Sequence, residues 1–216
     1  LASGDLYLGG DEFGAGGVGH LNLNTNSFAR VLGATTIYAN SSIVMGPNSE
    51  LIVHTIDNTN GGFFDFLRGT LHTRSYIGDL VNQEGTLAPY RTNSLAGEGA
   101  GDLFIDGDYT QQAGATLAID VIDDSGCGIG YDHVGVTGDA FIDGTLEVTL
   151  AEGFVPNSSS SFNILTADAL SGQFSNIAPG GRLTTTDGFG SFLVSYGNTS
   201  PFNPGSVFLT DFLSLF

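Results

Sequence analysis

The chain has 216 residues, enough for one sizeable core, so a single continuous domain is the default. Its 23 acidic groups face five arginines (Arg30, Arg68, Arg74, Arg91, Arg182) and no lysine, giving a formal net charge of −18; this argues against nucleic acid or anionic membrane as partners, because both demand a basic footprint. Only 13% of the residues are charged while 33 are glycine, a composition that disfavours a helical bundle and suits strands joined by tight turns.

The chain opens at Leu1-Ala2-Ser3-Gly4-Asp5 with neither Met nor a basic stretch, as expected of a mature product whose export signal has been removed. From there an apolar-polar-apolar triplet recurs. It stands at Leu6-Tyr7-Leu8, Leu21-Asn22-Leu23, Ile37-Tyr38-Ala39, Leu51-Ile52-Val53, Leu71-His72-Thr73, Leu87-Ala88, Leu103-Phe104-Ile105, Leu117-Ala118-Ile119 and Leu146-Glu147-Val148. The first apolar residues, from Leu6 to Leu117, are separated by 15, 16, 14, 20, 16, 16 and 14 residues. The next step, to Leu146, is 29, close to two such periods, with 132–136 as an intervening strand.

Alternation with period two turns one face of each triplet inward, and a regular step means each unit buries that face against its neighbours. A unit of about 15 residues is too short for a strand-helix-strand crossover, which needs roughly 30. The expected fold is therefore all-β, a parallel β-helix (solenoid) whose glycines serve the corners. The competing architecture is an antiparallel sandwich or jelly roll, with turns every 8–12 residues or so. Residues 1–153 are read as β-helix rungs. Residues 154–216, with longer strand candidates at 162–165, 191–196 and 206–209, are read as a C-terminal β capping region and terminal strand in the same domain.

Four segments taken together, Gly107-Asp108-Tyr109-Thr110-Gln111-Gln112-Ala113-Gly114-Ala115-Thr116-Leu117, Tyr131-Asp132-His133-Val134-Gly135-Val136-Thr137-Gly138, Gly144-Thr145-Leu146-Glu147-Val148, and Phe162-Asn163-Ile164-Leu165-Thr166-Ala167 with Ser171-Gly172-Gln173-Phe174, resemble one module. It is the autotransporter-type, passenger-associated β-helix stem of bacterial exported surface proteins, and the resemblance covers roughly residues 101–210. It implies a right-handed parallel β-helix with a capping region, an extracellular or cell-surface location, and a structural or adhesive role without shared catalytic residues. The pattern would continue into a translocator barrel or a C-terminal sorting segment, and neither falls within these 216 residues, as expected if those parts were removed or if release and assembly take another route.

Asp120, Asp123, Asp124 and Asp132 surround the Gly-rich loop 123–130 and form the candidate Ca²⁺ site, since Ca²⁺ takes oxygen ligands. The spacing matches neither the EF-hand loop nor the Gly-Gly-x-Gly-x-Asp nonapeptide, and the plain alternative is an acidic turn. A polysaccharide-binding or polysaccharide-degrading β-helix enzyme is the alternative class of function, but no arginine falls within this loop. His20, His54, His72 and His133 lack metal-ligand spacing and are read as solvent-facing strand residues. Gly14-Ala15-Gly16-Gly17-Val18-Gly19 fits a dinucleotide fingerprint in letters alone and is read as a turn. Cys127 is alone, so no internal disulfide exists, and no run of about 18 apolar residues is present to span a membrane.

The apolar C-terminal segment, with Leu209, Phe212, Leu213, Leu215 and Phe216, is the candidate assembly element. It would add as a strand to a neighbouring copy and give a homo-oligomer or filament, or else pack on its own cap. The function expected is a secreted, non-enzymatic structural protein, a filament or matrix subunit or an adhesin stem in contact with glycans or cell surfaces.

Overall fold

The computed structural model describes residues 4–90, 99–197 and 203–216; the chain start Leu1-Ala2-Ser3 and Arg91 lie outside the described residues. The regular structure is all-β and most of the strand pairing is parallel. Three ladders of parallel strands run through the molecule.

The first ladder takes the opening halves of Phe28–Ile37, Glu50–Asp57 and Thr70–Ile77, then Thr86–Pro89, Thr116–Val121 and Thr145–Leu150. Its register places Ala29, Leu51, Leu71, Leu87, Leu117 and Leu146 in one row. All are buried, because the strand alternation turns this row into the core. The second ladder takes Leu6–Leu8, the closing halves of the three long strands, then Asp102–Asp106, His133–Val136 and Phe162–Thr166. The third is built from His20–Leu23, Ser42–Met45 and Phe63–Asp65, followed by Leu80–Asn82, Tyr109–Gln111, Ala140–Ile142 and Leu170–Gly172. A backbone bond from Gln83 N–H to the Phe66 carbonyl joins its two halves.

The chain visits the ladders in the fixed order third, first, second. From one strand of the first ladder to the next, read at Phe28, Glu50, Thr70, Thr86, Thr116 and Thr145, it uses 22, 20, 16, 30 and 29 residues. The expected unit of about 15 residues is thereby corrected. Leu6 and Leu103 belong to the second ladder, Leu21 to the third, and Leu51, Leu71, Leu87 and Leu117 to the first, so the sequence steps mixed the distance between ladders with the distance along one.

The corner leading into the first ladder shows why these residues sit where they do. Asn26, Asn48, Gly69 and Gly144 occupy it with φ of 59°, 52°, 81° and 69°. This left-handed region suits Gly and, among residues with a side chain, Asn. At Gly144 a Cβ would stand 2.3 Å from the Ala115 carbonyl oxygen of the strand below, so close stacking as well as conformation requires glycine. Buried amides serve the same corner: Asn82 accepts from Gly85 N–H, and Gln111 donates to the Asp143 and Thr145 carbonyls while its Oε1 accepts from Tyr109 Oη.

The parallel ladders run past residue 153, as far as Gly172, and the pattern then changes. Arg182–Thr184, Gly190–Tyr196 and Ser206–Ser214 pair antiparallel, with Ser206–Ser214 lying between Gly190–Tyr196 and Phe162–Thr166. A chain of rings, Tyr131 to Phe162 to Phe192 to Phe212 with centroids 5.1, 5.7 and 5.0 Å apart, packs this group onto the core. The last strand of the first ladder also receives a cover. Asn176 donates to the Leu146 carbonyl and accepts from Leu146 N–H, while Thr186 N–H donates to the Val148 carbonyl.

Candidate functional site

Asp132 is 2% exposed, and its two carboxylate oxygens accept the backbone N–H groups of Gly101 and Asp120. It thus ties the end of Thr116–Val121 to the approach of Asp102–Asp106, on either side of the loop. Burial pushes its carboxyl well above the usual carboxylate range, against the lowering effect of the two N–H donors. Asp123 closes a turn by accepting from Ser125 N–H, and Asp124 is exposed. The loop is held by its own backbone, with Ile122 and Asp123 N–H both donating to the Gly130 carbonyl. Among the described residues, no group of three or more His, Cys, Asp or Glu is placed to hold a metal, so Asp120, Asp123, Asp124 and Asp132 are not brought together as ligands. The carboxylate that faces inward already serves two amides.

The terminal segment divides. Leu209 and Phe212 are buried in the chain's own sheet; Val207–Leu209 is paired on both sides, whereas residues 210–214 pair only with Gly190–Tyr196. Packing on the chain's own cap, the alternative to strand donation, accounts for Leu209 and Phe212. Leu213, Leu215 and Phe216 stay exposed, Phe216 at 93%, with its ring 6.0 Å from that of Phe189. Beside them Leu150, Phe154, Val155, Phe189 and Phe212 line an apolar pocket of ≈ 190 Å³.

The outer faces of the ladders carry two arrangements that sequence reasoning missed. On the second ladder, Asp102, His133 and Thr166 form a row over three adjacent strands: His133 Nδ1 lies 2.8 Å from Asp102 Oδ1, and Nε2 lies 3.2 Å from Thr166 Oγ1. Gly135 leaves the space beside this ring, its missing Cβ falling 3.4 Å from His133 Cε1. The spacing is that of a carboxylate-imidazole-hydroxyl relay, but the polarity is reversed. With the Asn163 amide oriented so that its nitrogen donates to the Leu165 and Val207 carbonyls, its oxygen accepts the Thr166 hydroxyl hydrogen. Thr166 Oγ1 then accepts from His133 Nε2 while Nδ1 donates to the Asp102 carboxylate, so both ring nitrogens carry hydrogen and the row staples three adjacent strands.

The second arrangement lies on the outer face of the first ladder. Arg30, Ile52 and His72 stand in register, with His54 and Arg74 at the bend that follows. Tyr90, beyond Thr86–Pro89, reaches back over them so that its hydroxyl accepts from Arg30 Nη2 at 3.2 Å. Ile52, although it points away from the core, is buried under this cluster. Arg74 Nη1 lies 3.2 Å from His54 Nε2; a guanidinium only donates, so His54 is the acceptor, neutral, with its Nδ1 proton toward Thr55 Oγ1 at 3.2 Å. His72 Nε2 lies 3.5 Å from Glu50 Oε1, and burial lowers the pKa of His72 below the ordinary histidine value. Two of the four histidines, His72 and His133, are therefore covered, each with a side chain 14% exposed, where solvent-facing positions were expected. The period-two pattern gives the side of the sheet, not whether a later segment such as Tyr90 crosses over it.

Fold and site together define an all-β protein of three parallel ladders with an antiparallel cover, and with an arginine- and histidine-bearing face on one ladder. Compared with known proteins, the chain matches no family model, no curated protein and no solved structure.

Proposed function

We propose that the chain is a parallel β-helix segment of a secreted or cell-surface structural protein, acting as the stem of an adhesin or as a matrix subunit and not as an enzyme. The observation that carries this is the fixed order of the three parallel ladders, with a left-handed Asn or Gly at recurring corners. A chain that returns to the same ladder in the same direction on every pass adds height without closing round an interior cleft. The autotransporter-like order of motifs over residues 101–210 supports the same reading, as does an acidic surface without lysine, which keeps an exported protein soluble by repulsion.

The covered end after Thr145–Leu150 fits a stem tip, where an open ladder would invite pairing with other chains. The test has two arms. Incubation with a panel of neutral and acidic polysaccharides, followed by assays for new reducing ends and for unsaturated products, is expected to give none; turnover would overturn the non-enzymatic role. Electron microscopy with and without millimolar Ca²⁺ separates the two structural roles, ordered assemblies marking a matrix subunit and uniform single particles a stem.

A further inference from the structure

We propose that the outer face of the first ladder, at Phe28, Arg30, His54 and Arg74, binds an acidic glycan, with the two arginines receiving an oxyanion of a sugar, a carboxylate or a sulfate ester. The site stands on the register of the ladder and does not depend on the chain being a stem.

Charge placement is the first support. In a chain with 23 acidic groups and five arginines, each guanidinium has carboxylates in excess to choose from. Arg68 and Arg182 take them, pairing with Glu84 and Asp211. Among the described residues, Arg30 and Arg74 do not, and both lie on one face, on strands about 10 Å apart with only Glu50–Asp57 between them, Arg74 standing two residues beyond the His72 that is in register with Arg30. Their partners here are neutral acceptors, Tyr90 Oη and His54 Nε2. Each uses one N–H of a planar five-donor fork, and among the described residues neither has a carboxylate in ion-pair contact. Arg30 Nε is buried without a hydrogen-bond partner.

Two partly covered like charges raise each other's energy, and an oxyanion shared between them relieves that repulsion with charge-assisted bonds. The second support is apolar. Phe28, Arg30 and Leu32 follow one another on the outer side of Phe28–Ile37, and Phe28 and Leu32 are 54% and 56% exposed. An exposed ring next to a guanidinium matches a charged sugar, which offers a C–H face for the ring and an oxyanion for the fork.

The experiment is calorimetric titration of the intact chain with oligogalacturonate, which carries carboxylates only, with carrageenan oligosaccharide, which carries sulfates only, and with maltohexaose as the neutral probe. The chain's net charge of −18 repels polyanions, so their binding reports a local site. One acidic probe is expected to bind and maltohexaose not; which one binds identifies the oxyanion. Arg74→Gln, and separately Phe28→Ser, are expected to weaken binding roughly ten-fold or more, the loss of one charge-assisted contact or one stacking face. Arg30→Gln is expected to do the same where it keeps the native circular dichroism spectrum. Arg68→Gln, at an arginine already paired, is expected to leave affinity unchanged. The proposal is overturned if neither acidic probe binds, if maltohexaose binds as well, or if Arg68→Gln weakens binding as much as Arg74→Gln.

Discussion

Leu117→Ala removes three carbon atoms from the middle of the inward row of the first ladder, where Leu87 lies in register on one side and Leu146 on the other. Leu117 is 0% exposed. Lost transfer at about 0.8 kcal/mol per carbon gives roughly 2.4 kcal/mol, and the cavity left between two neighbouring strands raises the expected loss to about 3–4 kcal/mol. For a chain of this length that corresponds to a fall of roughly 6–16 °C in Tm. Urea and thermal unfolding followed by circular dichroism measure it, with Glu147→Ala as the comparison. Glu147 neighbours Leu146 but points outward and is exposed, so its replacement is expected to stay within about 0.5 kcal/mol. A loss at Leu117 below about 1 kcal/mol, or an equal loss at Glu147, would refute the assignment of inner and outer faces.

Gly144→Ala is expected to cost more than about 2 kcal/mol, because φ is +69° and the new Cβ meets the Ala115 carbonyl; Gly153→Ala, with φ of +81° in open space, is expected to cost about 1 kcal/mol, both read from urea midpoints. Asp132 has a folded pKa raised by burial, so its contribution to stability is full below the unfolded value near pH 4 and is lost as pH rises through the folded value. The stability difference between the native chain and Asp132→Asn is therefore expected to be largest near pH 4 and to shrink toward neutrality in parallel urea titrations; a difference that grows with pH contradicts it. Phe212→Ala, which empties the space beside Phe192, is expected to cost about 3–5 kcal/mol, whereas deleting residues 215–216 is expected to shift Tm by no more than about 2 °C.

Alternation is what the residue order states most directly. Leu51, Val53, Leu71, Leu103, Ile105, Leu117, Ile119, Leu146 and Val148 all point inward, as their period of two requires. The number of residues per pass was hidden for a physical reason. Three ladders carry similar triplets at similar spacing, and Phe28–Val31 reads as Phe-Ala-Arg-Val, whose inward Ala29 gives little apolar signal. The Asp102, His133 and Thr166 row was illegible because 31 and 33 residues separate its members: register sets Asp102 beside His133, and Thr166, in register with Gly135, reaches the ring from the next strand. Arg30 and Tyr90, 60 residues apart, are joined likewise. Asp132 was legible as an acidic residue beside a glycine loop. Its inward orientation, which makes it a backbone clamp instead of a metal ligand, depends on where Gly101 lies.

The passes of 16 to 30 residues each raise the first ladder by one strand spacing, about 4.8 Å, whatever their length. Height and chain length are thus separate variables in this architecture. Extra residues at 122–131 or 151–161, between strands of the first and second ladders, widen the cross-section and leave the stacking distance as it was. Such sites admit inserted segments at the modest entropic cost of a longer loop, so a new surface function can be grafted there without resetting the position of anything above or below it.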